Sequence, residues 1–470
     1  MKILRTSLVV VLVVVGGRAF NAGAQTLTNL YSFTVNDGSN STAVLVQGTD
    51  GNFYGACHNG GTNGYGTVFR ISPSGSYTNL HAFTYGDGAY PYGGLVQGTN
   101  GNFYGTATAG GPGFFGGSGT VFVMSPSGVS DLFSFPGTSP GATNGAVPYG
   151  RLVQGSDGNF YGTTYSCVST SPTPTSFGSV FRITPDGGTF TNLHFFKAGD
   201  GGYSTAGLVQ GSDGNFYGTT SGGNVNGRGT VFRISPSDSS YTNLHLFTVS
   251  DGWYPEAGLV QGSDGNFYGT ATSGGANGDG SVFRISSSGS FTNLHSFAFA
   301  EGYFPLAALV QGSDGNFYGT AYGGGANGLG TVFRISPSGS LTNLYSFSGY
   351  PSDGSHPEGG LVQGSDGNFY GTTYDGGANH AGTVFKLTIP LNPPANQISR
   401  IQLAGTNSIF NIPSVAYETY QLQFSSSMNP TNWVNVPGIS ITNSIGALLT
   451  LTNLGGASQP QGFYRFDITP

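Results

Sequence analysis

Charge, lysine and cysteine are scarce in this chain. Of its 470 residues only 7 % are charged, and lysine occurs three times, at Lys2, Lys197 and Lys386. Without a basic stripe there is little to neutralise a phosphate backbone, which argues against a nucleic acid as partner. The two cysteines, Cys57 and Cys167, fall in repeats that have another repeat between them. Since a disulfide needs Cα atoms within about 7 Å, we predict two unpaired thiols and no cysteine-based metal site.

Long apolar runs are also absent, apart from one near the N-terminus. The run 8–15 is shorter than the roughly 18 residues that a membrane span needs. Lys2 and Arg5 precede it, and residues 22–24 (Ala-Gly-Ala) offer a small-residue cleavage site. These features predict a signal peptide over 1–24. We therefore expect an exported protein, secreted or attached to the cell surface, with no membrane span once the signal is removed.

Glycine, tyrosine and phenylalanine are abundant, and they recur in a fixed order. The chain has 83 Gly, 26 Tyr and 35 Phe. The segment Leu-Val-Gln-Gly-x-[Asp/Asn]-Gly-Asn-Phe-Tyr-Gly occurs seven times, starting at Leu45, Leu95, Leu152, Leu208, Leu259, Leu309 and Leu361. A repeat of about 50 residues cannot bury its own apolar face, so the copies must pack on one another.

One repeat contains four short strands. In the copy that spans 259–297, clusters of Ser, Asp, Gly and Asn separate four stretches of β-branched and aromatic residues, and no helical period is present. Four antiparallel strands form one blade of a β-propeller. The repeats therefore predict an all-β protein with a seven-bladed β-propeller, and an open β-solenoid is the alternative.

The two ends of the repeat region complement each other. The strand 28–33 precedes the first repeat without a blade of its own, and the last repeat stops after its third strand, 383–387. An N-terminal strand that completes the last blade explains both facts and removes an unpaired sheet edge. We expect the closed propeller to occupy 25–389.

The chain after the propeller has a different pattern. A Pro-rich linker is predicted at 390–396. Short strand-like segments over 397–470 predict a small C-terminal β-sandwich, with Trp433 as the anchor of its core.

The repeat resembles a known family. Leu-Val-Gln-Gly-Ser-Asp-Gly-Asn-Phe-Tyr-Gly-Thr, followed by Gly-Gly-Ala-Asn-Gly-x-Gly-Thr-Val-Phe-Arg-Ile and Thr-Asn-Leu-His-Ser-Phe, is similar to the Gloeo/Verruco-type (GloVer) tandem repeat of exported bacterial proteins. The resemblance covers 26–388 and implies export and a propeller-like repeat. It implies no reaction and no catalytic residue.

Differences among the repeats fall on one face of the predicted propeller. The turns after the first and third strands are uniform, whereas the loops between the second and third strands and the connections between repeats vary in length. Extra residues occur at 111–117, 136–146 and 166–177. Insertions confined to one face often mark a binding face.

The connections between repeats share an acidic or amide residue followed by glycine. These residues are Asp37, Asp87, Asn144, Asp200, Asp251, Glu301 and Asp353. Such a residue often caps a turn. Repeats five to seven add glutamates and aromatic rings, which a turn does not require and which suit a sugar. The candidate ligand-binding residues are Asp251, Trp253, Tyr254, Glu256, Glu301, Tyr303, Phe304, Asp353, His356 and Glu358.

Two further patterns have a structural interpretation. Histidines recur on the outermost strand of separate blades, where they cannot share one metal ion; they are His81, His194, His245 and His295. An arginine recurs on the third strand, as Arg284 does in the fifth repeat, beside the turn residue Asp264. The second repeat lacks both charges, having Asn100 and Val123, which predicts an Asp–Arg pair in the others.

Three functions fit these observations. The first is a non-enzymatic binding protein of the cell exterior that recognises a polysaccharide or another exported protein through the variable face. The second is a purely structural or display module. The third is a carbohydrate-active hydrolase or lyase that uses carboxylates of the connections. No nucleophile motif, zinc spacing or phosphate loop is present, so catalytic residues stay unassigned.

The expectations for cofactors and partners are simple. We expect no metal or cofactor; calcium is conceivable from the acidic connections, but no Asp-x-Asp-x-Asp cluster supports it. We expect a monomer.

Overall fold

The computed structural model describes residues 25–112, 117–136, 145–167, 177–224 and 226–389, together with the C-terminal strands within 400–469. The predicted signal peptide, linker and Trp433 lie outside these residues, as do most residues of the three insertions. The described secondary structure consists of β-strands, as predicted. No helix in the described part of the chain has the length and hydropathy that a membrane crossing needs.

Seven four-stranded antiparallel sheets form the blades, which confirms the seven-bladed propeller. The innermost strands of blades 1 to 7 are Val46–Gln47, Leu95–Gln97, Val153–Gln154, Val209–Gln210, Val260–Gln261, Val310–Gln311 and Val362–Gln363. The second strands are Phe53–Cys57, Phe103–Ala107, Phe160–Thr164, Phe216–Thr220, Phe267–Ala271, Phe317–Ala321 and Phe369–Thr373.

The outer half of each blade follows the same order. The third strands are Thr67–Ile71, Thr120–Ser125, Ser179–Ile183, Thr230–Ile234, Ser281–Ile285, Thr331–Ile335 and Thr383–Thr388. The outermost strands of blades 1 to 6 are Tyr77–Ala82, Gly128–Ser134, Phe190–Phe195, Tyr241–Leu246, Phe291–Ser296 and Leu341–Ser346. The outermost strand of blade 7 is Thr26–Ser32, which pairs antiparallel with Thr383–Thr388.

Neighbouring blades are joined by the same aromatic stack. A tyrosine on the second strand of one blade packs on a phenylalanine of the next, with ring centroids 4.0–4.1 Å apart. The pairs are Tyr54–Phe103, Tyr104–Phe160, Tyr161–Phe216, Tyr217–Phe267, Tyr268–Phe317, Tyr318–Phe369 and Tyr370–Phe53. The last pair joins blade 7 to blade 1, so this buried aromatic layer continues around the ring.

One face of the propeller is held together by glutamines at the ends of the innermost strands. The Gln97 Oε1 accepts a hydrogen bond from the backbone N–H of Thr49 in the preceding blade at 3.0 Å. The Gln97 Nε2 donates to the carbonyl of Gly101 in its own turn at 3.0 Å. Blades 7 and 1 are joined in the same way, since Gln47 accepts from Ser365 at 2.9 Å. We call this side the glutamine face and the opposite side the variable face.

Short ladders on the variable face attach each connection to its own blade. Gly145–Ala146 pairs with Ser166–Cys167, and Gly354–Ser355 pairs with Asp375–Gly376. In blade 5 a single bridge joins Trp253 to Ser273. The connections are therefore held by backbone hydrogen bonds to their blades, which gives their side chains defined positions.

The C-terminal segment contains two antiparallel sheets of three strands. One sheet contains Arg400–Ala404, Asn407–Pro413 and Leu448–Asn453. The other contains Val434–Asn443, Glu418–Ser425 and Phe463–Thr469. The β-sandwich remains a prediction.

Candidate functional site

Each connection on the variable face has a non-glycine residue in the left-handed region at the same place, just before the turn into the innermost strand. These residues are Asn40, Tyr90, Val147, Tyr203, Tyr254, Phe304 and His356, with φ between 54° and 59°. Such a conformation is uncommon for bulky residues and is maintained only when the surroundings fix it.

Hydrogen bonds from two blades fix this conformation. In blade 5 the Tyr254 N–H donates to the carbonyl of Arg228 in the preceding blade at 3.0 Å. The Tyr254 carbonyl accepts from the N–H of Thr272 in its own blade at 3.1 Å. The chain then turns through a proline or serine into the innermost strand, so the next side chains are aimed at the propeller axis.

Three rings of side chains line the central channel, because alternate residues of a strand point to the same side. The mouth ring, nearest the variable face, is Thr42, Tyr92, Tyr149, Thr205, Glu256, Leu306 and Glu358. The middle ring, two residues further along each chain, is Val44, Gly94, Arg151, Gly207, Gly258, Ala308 and Gly360. The valine ring is Val46, Val96, Val153, Val209, Val260, Val310 and Val362.

These rings enclose a cavity of about 400 Å³. The mouth ring, the valine ring and all of the middle ring except Gly94 line it. Ligand pockets in proteins measure about 300–1,000 Å³, so this cavity is large enough for a small ligand or for the end of a longer chain. Five of the seven middle-ring residues are glycine or alanine, which put no long side chain into the cavity.

The mouth ring breaks the sevenfold symmetry. All seven connections share one backbone path, yet this ring position holds threonine, tyrosine, glutamate or leucine. The scaffold therefore does not dictate the residue. Carboxylates occur here in blades 5 and 7 alone, as Glu256 and Glu358, and we call these two the mouth carboxylates.

Glu358 is the more perturbed of the mouth carboxylates. Among the described residues no side chain donates a hydrogen bond to it. Burial, and then the negative charges of Asp375 and Glu256, raise the pKa of Glu358 to about 7. Burial also raises the pKa of Glu256, although the Thr272 hydroxyl donates to its Oε2 at 3.3 Å. The mouth therefore holds a carboxyl group that titrates near neutral pH.

Tyrosines from three blades surround Glu358. Burial, followed by the charge of Glu358, raises the pKa values of Tyr92, Tyr322 and Tyr374, so their hydroxyls stay protonated at neutral pH. The charge of Glu256 also raises the pKa of Tyr92, although Tyr92 belongs to blade 2 and the mouth carboxylates belong to blades 5 and 7. The charges of the two glutamates therefore act on a tyrosine of blade 2 across the channel axis.

The middle ring contributes one charged group, Arg151. Its Nε donates to the carbonyl of Leu95 at 2.7 Å. Burial lowers the pKa of Arg151 to about 10, so the guanidinium remains positive at neutral pH. The side chain is half-buried and lines the cavity.

Three of the predicted ligand-binding acids lie away from the mouth, at the ends of the outermost strands. Asp251 and Glu301 each accept a hydrogen bond at 2.8 Å, from the Nε2 of His245 and His295 respectively. Asp353 is buried and accepts from the Tyr345 hydroxyl at 2.9 Å. Other members of this set cap their turns likewise, so we define the outer carboxylates as Asp37, Asp87, Asp200, Asp251, Glu301 and Asp353.

The five predicted aromatic and histidine residues form a rim on the connections that lead to Glu256, Leu306 and Glu358. Trp253 stacks on Tyr254 with centroids 5.7 Å apart, and Tyr303 packs edge-on against Phe304 at 4.9 Å. Tyr254 and Phe304 are 43 % and 40 % exposed. His356 lies against the ring of Tyr322 at 4.7 Å, with its Nδ1 3.4 Å from the Asp375 carboxylate.

Sequence reasoning missed three residues that line the channel and two tyrosines beside Glu358. These are Tyr92, Tyr149, Arg151, Tyr322 and Tyr374. An alignment of the seven repeats would have found the first three. Tyr92 and Tyr149 lie three residues before the repeated leucine, and Arg151 lies directly before it, where it is the one charged residue among the seven repeats. Tyr322 and Tyr374 follow the second strand, a position that the sequence does not connect with the axis.

Metal-binding chemistry is not assembled in the described residues, where no three His, Cys, Asp or Glu side chains converge. Cys57 is a buried free thiol, and the side chain of Cys167 lies outside the description.

These observations define a class of protein, a seven-bladed β-propeller with a repeated scaffold and an asymmetric axial pocket. The chain belongs to the Gloeobacter/Verrucomicrobia repeat family, whose model matches residues 17–173 and 168–385. This confirms the resemblance found in the repeats. No curated protein matches the chain.

Solved structures with similar folds include enzymes of several kinds. A fungal alcohol oxidase in complex with copper is 14 % identical, with a TM-score of 0.52 over 93 % of this chain and 94 % of its own. An oligogalacturonate lyase from Vibrio parahaemolyticus is 11 % identical, with a TM-score of 0.49 over 78 % and 94 %. A gluconolactonase from Xanthomonas campestris is 10 % identical, with a TM-score of 0.39 over 78 % and 90 %. The first similarity shows a shared fold alone, and the other two are too distant to carry an argument.

Proposed function

We propose that this protein is an exported carbohydrate-binding protein whose ligand enters the mouth of the channel on the variable face. The observation that carries the proposal is the asymmetry of the mouth ring. Glu256 and Glu358 occupy positions that the scaffold leaves free, beside a cavity and below a partly exposed aromatic rim. Sugars donate hydroxyl hydrogen bonds to carboxylates and stack their apolar faces on aromatic rings.

The charge and size of the site support this ligand class. A carboxylate without a protein donor, such as Glu358, gains most from a ligand that brings hydroxyl groups. The tyrosine hydroxyls of Tyr92, Tyr322 and Tyr374 add donors around it. The cavity of about 400 Å³ suits one sugar unit or a chain end.

A pull-down on insoluble polysaccharides tests the proposal. The chain from residue 25 to 470 should be retained by at least one polysaccharide, and the double substitution of Glu256 and Glu358 by Gln should abolish retention while the melting profile stays cooperative. Asp238→Asn is the matched control, because Asp238 is an exposed carboxylate in a turn on the glutamine face. Equal retention of the double variant and the control would contradict the proposed site.

An enzymatic role is the second candidate. A carboxyl group with a pKa of about 7 fits a general acid, and Glu256 is a second carboxylate in the same mouth. Release of reducing ends or of unsaturated products in the pull-down supernatant would favour a hydrolase or a lyase. Loss of that release in Glu358→Gln would then assign the acid.

Several features of the whole chain belong to the same proposal. We propose that the signal peptide directs the chain out of the cell as a monomer, either free or attached to the surface. We also propose that strand Thr26–Ser32 closes the propeller and that the C-terminal strands form a sandwich that displays or anchors it. Another exported protein as partner, and a purely structural role, are the outcomes to consider if no polysaccharide is retained.

A further inference from the structure

Arg151 is the feature of the channel that carbohydrate binding in general does not explain. The other six members of the middle ring are glycine, alanine or valine, and their blades fold without a basic residue. Blade 3 thus has a long cationic side chain at a level of the channel where five of the other six residues are glycine or alanine. Since the six other blades pack without a basic residue here, the repeat itself does not require it.

The guanidinium of Arg151 has only part of its hydrogen-bonding capacity used by the protein. Its Nε donates to the Leu95 carbonyl, which fixes the orientation of the planar group. Among the described residues no carboxylate pairs with it and no acceptor bonds its Nη groups, and the side chain lines the cavity. Partly burying an unpaired charge is costly, and this cost falls when an anion binds.

The mouth carboxylates do not form an ion pair with Arg151. The charges that raise the pKa of Glu358 are those of Asp375 and Glu256, and burial is the larger cause. The pKa of Arg151 is lowered by burial, with no carboxylate acting against it. The site therefore has two separate polar parts, an acidic mouth and a basic side chain one layer deeper.

We infer that the ligand of this channel is an acidic sugar and that Arg151 binds its anionic group, a carboxylate or a sulfate ester, inside the cavity. This inference rests on the proposed carbohydrate binding and names the class of sugar. An arginine holds a carboxylate or a sulfate through parallel N–H···O bonds, while the mouth carboxylates accept hydroxyls from the same ligand. The cavity size restricts the bound portion to a single unit or a chain end.

Calorimetric titration with matched sugars tests this inference. The probes are D-glucuronate and D-galacturonate with their neutral methyl esters, and glucose 6-sulfate with glucose. At least one anionic probe should bind tenfold more tightly than its neutral partner. A carboxylate preference and a sulfate preference distinguish the two sources of the anion.

Substitutions of Arg151 complete the experiment. Arg151→Gly gives blade 3 the residue that blades 2, 4, 5 and 7 have at this position, so we expect the fold to be kept and the preference for the anion to disappear. Arg151→Lys keeps the charge without the planar fork and should retain a reduced preference. The matched control is Asp238→Asn, which should bind as the wild type does.

The failures are distinguishable. Equal binding of the anionic and neutral probes, unchanged in Arg151→Gly, would overturn the inference and leave carbohydrate binding intact. Retention on neutral polysaccharides with no heat from any acidic probe would do the same. Absence of retention on every polysaccharide, neutral or acidic, would overturn the proposed function and the inference together.

Discussion

The outer carboxylates and the mouth carboxylates differ in what surrounds them, although both sets lie on the connections between blades. Each outer carboxylate accepts hydrogen bonds from its own turn or outermost strand, as Glu301 does from His295 and from the Ala298 N–H at 3.1 Å. Glu358 accepts none from the described residues and has acidic neighbours. An acid with built-in partners serves the fold, whereas an acid without them is held at a cost that the fold does not require.

The comparison also separates what the repeat demands from what it allows. The outer position is acidic in six of the seven copies, because the turn there needs an acceptor. The mouth position is acidic in two copies. Since blades 1, 2, 3, 4 and 6 fold without an acid at the mouth, the two glutamates are the better candidates for ligand contact.

The largest effect is expected for Asp353→Ala. Asp353 is 5 % exposed and accepts hydrogen bonds from the Tyr345 hydroxyl, from the Ser348 N–H at 2.8 Å and from the Gly354 N–H at 2.8 Å. Removing the carboxylate leaves several buried donors unpaired, so we expect a loss of about 3 kcal/mol in the free energy of unfolding. Thermal melting with Asp238→Ala as an exposed control measures it. Equal melting temperatures of the two variants would contradict a structural role for the outer carboxylates.

Glu358→Gln should have the opposite sign, and its effect should depend on pH. The folded-state pKa of about 7 lies above the ordinary value of 4.5, so the native state binds a proton more tightly than the unfolded state. The stability that this proton contributes is fully present below pH 4.5 and is lost as the pH rises to about 7. We expect Glu358→Gln to match the wild type at pH 4 and to be more stable by about 2 kcal/mol at pH 8.

The neighbours of Glu358 define the controls for this titration. The groups that face it are Glu256, Asp375, Tyr92, Tyr322 and Tyr374, and His356 contacts Asp375. Melting curves from pH 4 to pH 8 should diverge between the wild type and Glu358→Gln. Parallel curves would mean that the mouth carboxylate carries no excess cost in the folded protein.

A smaller but sharper contrast is expected between Glu301→Gln and Glu256→Gln. The amide weakens two hydrogen bonds at Glu301, so that variant should lose about 1 kcal/mol at pH 7. At Glu256 the raised pKa means that the amide relieves a cost, and the variant should be as stable as the wild type or slightly more stable. A loss of stability in Glu301→Gln and none in Glu256→Gln would establish that outer carboxylates stabilise the fold and mouth carboxylates do not. Equal destabilisation by both substitutions would contradict this difference.

The architecture of the propeller was predictable from the sequence because the repeat encodes it redundantly. Seven copies of the Phe-Tyr pair and of the turn before it, Asp-Gly-Asn in six repeats and Asn-Gly-Asn in the second, specify blade number and strand order before any contact is known. Glu256 and Glu358 were recognised because they depart from that repeat. Arg151 was not, because its importance depends on which strand face meets the axis and on the small residues that neighbouring blades place beside it.

The difference between the outer carboxylates and the mouth carboxylates could likewise not be predicted from the sequence. In the sequence Glu301 and Glu358 are both glutamates on connections, and neither motif shows which one has a histidine within reach. His295 precedes Glu301 by six residues and meets it only because a bulge and the following turn bring the strand end back to the connection. Pairing distances of this kind require the folded backbone.

A third set of carboxylates, on the glutamine face, tests whether engagement by the protein predicts stability in general. The Asp264 carboxylate accepts from Asn266 at 2.7 Å and from the Tyr268 hydroxyl at 2.8 Å. Burial raises the pKa of Asp264, but these hydrogen bonds and the charge of Arg284 lower it overall. The direct Asp–Arg pair predicted from the sequence is not formed: Arg284 acts on Asp264 through its charge alone, and the direct donors are Asn266 and Tyr268.

Blade 2 provides the natural comparison for this third set and leads to the smallest predicted effect. Blade 2 keeps the hydrogen bond between the turn and the tyrosine, since the Asn100 amide donates to the Tyr104 hydroxyl at 2.8 Å. At the position of the arginine it has Val123. We therefore expect Tyr268→Phe to cost about 1 kcal/mol and Arg284→Ala no more than about 0.5 kcal/mol. If thermal melting gave the reverse order, the charge of the arginine rather than the tyrosine hydrogen bond would hold the turn, and blade 2 would need a compensation of its own.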